Sequence, residues 1–78
     1  MKYLMVKDTE LNVGDIVWDV PPHRWYATKF KVVSIDLANN MLHVKYIGGG
    51  AYRGIKLNET IKLVISNSPW YREEASND

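Results

Sequence analysis

Within the predicted strand Met41 to Ile47, the chain alternates from Leu42 to Tyr46: Leu42, Val44 and Tyr46 take every second position, and His43 and Lys45 stand between them. Side chains of an extended strand point to opposite faces in turn, so this spacing sends three large apolar groups one way and two basic groups the other. Period-two patterning recurs through most of the 78 residues and helical spacing is scarce, which predicts an all-β chain.

The other predicted strands follow from the same rule. A short one covers about Lys2 to Val6. A second runs from about Asp15 to Val20, with Ile16, Trp18 and Val20 sharing one face, and the weight of apolar groups turns Trp18 inward. A third spans about Tyr26 to Asp36 and carries Phe30 and Val32 on one face but Val33 and Ile35 on the other. Such a switch in mid-strand is the mark of a β-bulge. Asn39 and Asn40 then supply residues that tolerate positive φ, so the Met41 strand returns antiparallel. Gly48, Gly49 and Gly50 break that strand, Ala51 to Leu57 alternates again, and Asn58 to Thr60 turns into Ile61, Leu63 and Ile65.

Five or six short strands joined by tight turns predict a small bent antiparallel barrel over residues 1–67, because closure protects edges that a flat sheet exposes. After it, Ser68 suits a helix N-cap and Pro69 the first helical position. The expected ending over residues 68–78 is a short helical turn to about Glu74 and a disordered tail.

No catalytic residues, metal or cofactor are expected. The chain has no cysteine and no Gly-x-Ser-x-Gly turn, and His23 and His43 stand at no ligand spacing. Asp15, Asp19 and His23 are four apart, a spacing that would align on a helix, but the local pattern is strand and corner. The glycine run feeds another strand, whereas a phosphate loop feeds a helix whose first N–H groups face the anion. Absence of cysteine and of a membrane-length apolar run fits a cytoplasmic, reducing setting.

Charge is the quantitative signal. The net charge is +1, yet between residues 24 and 63 Arg24, Lys29, Lys31, Lys45, Arg53, Lys56 and Lys62 face only Asp36 and Glu59. Local potential rather than net charge governs attraction, so a basic middle between acidic ends is a footprint for an acidic partner. Lys29, Lys31, His43 and Lys45 would form one face if their strands pair, with Arg53 and Lys56 nearby. Trp25, Tyr26 or Tyr52 could stack on an unpaired base. Solubility and edge protection are the competing account of such lysines.

The segments VGDIV, WYATKFKVVSID, LHVKYIGGG and IKLNETIKLV, within residues 11 to 65, resemble a Tudor-type domain, a bent barrel related to Src-homology-3 folds. That resemblance implies a barrel and, in the methyl-reading members, a box of aromatic rings around a methylated side chain. Only Tyr46 matches a ring of that box; the other positions fall near Pro21, Gly49 and Ala51. Methylated-peptide reading is therefore disfavoured.

The expectation is a non-enzymatic binding module for nucleic acid, using Arg24, Trp25, Tyr26, Lys29, Lys31, His43, Lys45, Tyr46, Tyr52, Arg53 and Lys56. The alternative is an adaptor for an acidic protein surface, a small accessory or phage-type regulator docking through Trp25, Tyr26, Trp70 and Tyr71.

Overall fold

A computed structural model of the chain describes residues 3–50 and 54–73. Six strands, β1 (Tyr3–Lys7), β2 (Ile16–Trp18), β3 (Thr28–Asp36), β4 (Met41–Gly49), β5 (Thr60–Val64) and β6 (Pro69–Glu73), form one antiparallel sheet in the order β1-β6-β2-β3-β4-β5. The sheet does not close into the expected barrel: β1 and β5 are its two edges. Among the described residues the helical content is one 3-10 turn, Asp8–Glu10, near the N-terminus.

The β3–β4 hairpin is the longest pairing and follows from its turn. Asp36 accepts the Asn39 side-chain amide at 2.7 Å and the Asn39 N–H at 3.2 Å, and Asn40 takes a φ of 56°. Those hydrogen bonds, the side-chain amide first, hold the Asp36 carboxyl below its ordinary 3.8, and the nearby His43 acts in the same direction. A carboxyl with a lowered folded pKa adds stability above its unfolded value, and that contribution is lost as pH falls through the folded value. Asp36→Asn should therefore trail the wild type in urea midpoint at neutral pH and converge with it in acid. A gap that persisted to pH 2 would contradict this.

The bulge is present where parity changes. The β3–β4 register shifts between Val32 and Ser34, leaving Val33 as the extra residue. Ile35 thereby returns to the core side opposite Leu42, while Val33 is 40% exposed. A second shift, between Lys29 and Phe30, leaves Ile47 unmatched on β4.

One face of the bent sheet carries the core. Val17, Phe30, Val32, Leu42, Val44 and Trp70 are buried there with Leu11 and Ile65, and Val6, Tyr46, Ile61 and Leu63 pack against them. Phe30 is its centre, edge-on to Trp70 at 5.8 Å and to Tyr46 at 6.2 Å. The bend brings the 3-10 turn near the end of β5. Buried Asp8 accepts the Ser66 N–H at 2.8 Å through one carboxylate oxygen, its N–H donates to the Ser68 carbonyl at 3.1 Å, and its other carboxylate oxygen has no hydrogen-bond partner among the described residues.

Three expectations need correction. Trp18 does not face the core: Val17 does, and Trp18 stands on the opposite, outer face of the sheet. It is nevertheless only 8% exposed. The segment after it folds across that face, for His23 stacks on Tyr3 at 6.3 Å and shares a 3.2 Å hydrogen bond with its hydroxyl, and Tyr3 meets Tyr71 edge-on at 5.6 Å. The expected helical turn at Pro69 is strand β6, inserted between β1 and β2. Residues 54–57 are irregular backbone leading into a turn rather than strand, while residues 51–53 of that expected strand and residues 74–78 of the expected tail lie outside the described residues.

Candidate functional site

Cross-strand register decides which basic residues share a face. Lys31 lies opposite Ile16 on β2 and opposite Lys45 on β4; His43 lies opposite Ser34 on β3 and Lys62 on β5. Lys29 lies opposite Trp18, with its Nζ 5.4 Å from the centre of the indole ring. Since directly opposed residues point the same way, Lys29, Lys31, His43, Lys45 and Lys62 stand together on the outer face, behind the core. Lys31 and Lys62 are exposed and the other three half-buried.

Like-charged residues set directly opposite one another destabilise a sheet pair, here Lys31 against Lys45. No carboxylate relieves them, because among the described residues the one ion pair is Arg72 with Asp15, at 3.4 Å. Asp36, an acidic member of this face, sits at the far end of β3 with its carboxylate engaged by Asn39.

The expected aromatic part lies in the β2–β3 loop. Its base is clamped by Asp19, whose carboxylate accepts the Thr28 N–H at 2.9 Å and whose own N–H donates to the Thr28 carbonyl at 3.3 Å. Two turns follow in series, closed by Arg24 N–H to the Pro21 carbonyl at 3.0 Å and Ala27 N–H to the Arg24 carbonyl at 3.1 Å. Trp25 and Tyr26 occupy the middle of the second turn, edge-on to each other at 5.5 Å. Trp25 is 85% exposed, Tyr26 40%, and Arg24 beside them is exposed.

The remaining expected residues part company with this surface. Tyr46 points to the core side, packed on Phe30, and its hydroxyl donates to the Gly49 carbonyl at 2.8 Å. Lys56 is exposed in the turn before β5, and Tyr52 and Arg53 lie outside the described residues. Trp70, expected as a docking ring, is 7% exposed in the core, and Tyr71 is half-buried against Tyr3.

Lys62 is the residue sequence reasoning left out of the site. Its signal was the alternation of Ile61, Lys62 and Leu63, which already placed it opposite the apolar face.

No group of three or more metal-ligating side chains occurs among the described residues, and none of their helices is long and apolar enough to cross a membrane. Set beside protein-family models, curated proteins and solved structures, the chain matches none of them.

Proposed function

We propose that this domain is a non-enzymatic nucleic-acid-binding module whose contact surface is the outer face of β3, β4 and β5. The observation that carries the reading is the opposition of Lys31 and Lys45 with no carboxylate of the described residues in ion-pair range. Edge protection explains lysines on edge strands, but β3 and β4 are interior strands whose backbone ladders are already paired on both sides. The opposed Lys31 and Lys45 there weaken the sheet, and no ion pair within the described fold offsets them. A polyanion supplies the missing counter-charge, and phosphate contacts by lysine need no base-specific geometry.

A salt series on a fluorescently labelled oligonucleotide tests this. Four lysines, Lys29, Lys31, Lys45 and Lys62, engaging phosphates give a log–log slope of affinity against salt of about −3. Absence of binding at low salt, or binding indifferent to salt, would sink the proposal.

A further inference from the structure

We infer that the polyanion is a single strand, held with one unpaired base stacked on Trp25. The inference rests on the nucleic-acid reading above and adds the ligand class.

Two observations support it. The first is the state of Trp25 itself. Trp18 and Trp70 are 8% and 7% exposed, whereas Trp25 is 85% exposed and among the described residues its one ring neighbour is Tyr26. An indole left in water at the tip of a turn whose base is clamped on both sides contributes little to folding. It offers a flat apolar face at small ordering cost, which is what a base face needs.

The second is where that turn stands. His23, two residues before Trp25, is held to the outer face by Tyr3, and Lys29, two residues after Tyr26's neighbour Ala27, lies over Trp18 on the same face. The turn is thus bracketed by residues of the lysine-bearing side.

Duplex DNA would meet this surface poorly. Its base faces are covered by stacking, and its major groove admits a helix or a two-stranded ribbon. The lysines here are spread over three adjacent strands, β3, β4 and β5, of an open sheet, a broader element than that ribbon. A single strand can lie across the lysines and turn a base onto Trp25.

The test compares a labelled pyrimidine 12-mer with the same sequence as a duplex, by anisotropy at low salt, using the wild type and Trp25→Ala. Poly-L-glutamate serves as competitor, and far-UV circular dichroism verifies the fold of the variant. The expected result is tighter binding of the single strand, a loss of about 5- to 150-fold for it in Trp25→Ala, and an unchanged salt slope, since tryptophan carries no charge. Iodide quenching of the wild type should be suppressed by the single strand. Equal affinity for the two forms, or an inert Trp25→Ala, overturns the stacking inference and leaves the basic-face reading standing. Displacement of the oligonucleotide by poly-L-glutamate at equal charge overturns it too, in favour of an acidic protein partner. No binding of either nucleic acid overturns both readings together.

Discussion

Lys45→Glu should make the protein more stable and a worse binder. Replacing one cation of the Lys31–Lys45 pair by a carboxylate turns a repulsive cross-strand pair into an attractive one. Such pairs shift sheet stability by roughly 0.2–1 kcal/mol, so the thermal midpoint should rise by a few degrees. The same change deletes a phosphate contact and puts a negative charge at the middle of the proposed surface. Affinity for an oligonucleotide at low salt should fall more than about tenfold, and the salt slope should lose at least about one unit. Lys45→Gln separates the parts, with milder movement in both quantities. A destabilised Lys45→Glu would mean that Lys45 is held by packing of its stem, and unchanged affinity would remove Lys45 from the surface.

Gly50→Ala should be the most damaging small substitution in the described chain. Gly50 has a φ of +72°, and a Cβ there would lie 2.7 Å from Thr28 Cβ and 2.9 Å from Thr28 Cα, overlapping the Thr28 hydroxyl outright. Thr28 cannot retreat, since it is 1% exposed and its backbone is hydrogen-bonded to Asp19 on both sides. Positive φ costs about 1–2 kcal/mol in an L-residue and forced overpacking about 1–3 kcal/mol more. A 78-residue chain has a total stability of roughly 4–12 kcal/mol, so the sum of about 2–5 kcal/mol takes a large share of it. Gly14→Ala is the matched control: its φ is +94°, but nothing lies within 4 Å of the added carbon. Urea unfolding of the pair should show Gly50→Ala losing at least about 1 kcal/mol more than Gly14→Ala. Equal losses would show that Thr28 yields.

What the sequence disclosed tracks how local the deciding interactions are. The alternation of Leu42, Val44 and Tyr46 against His43 and Lys45 is legible because β4 carries no extra residue between Met41 and Tyr46, its one bulge falling at Ile47. The bulge at Val33 was legible for the same reason, since an apolar pair in consecutive positions cannot stay on one face without an extra residue. The basic face followed from these two readings, and the paired strands do bring Lys29, Lys31, His43 and Lys45 to one side.

Misreadings arose where distant chain decides. β2 has only three strand residues, too few for parity to outvote Ile16 and Val20, and Trp18 is shielded on the outer face, with Lys29 over its ring and the following loop held to Tyr3. Nothing near Trp18 signals that loop. Ser68 and Pro69 carry genuine helix-start chemistry, but Pro69 begins a strand opposite Lys7, where a missing N–H is tolerated. Trp70 completes the core beside Phe30, and burying such a ring outweighs a cap worth about 1 kcal/mol. The barrel failed to close for a related reason: β6 and β1 extend the sheet beyond β2, and no ladder joins β1 to β5.

The place of β6 between β1 and β2 has a consequence for synthesis. On a ribosome β1 is made first, but its partner strand emerges 66 residues later, after Glu73 follows Lys7 by roughly 3–13 s of elongation. Until β6 is available, the β2 to β5 meander has its β2 edge unpaired and lacks Trp70 in its core. Both ladders that tie β1 to the sheet therefore depend on β6, and neither can form before it is made.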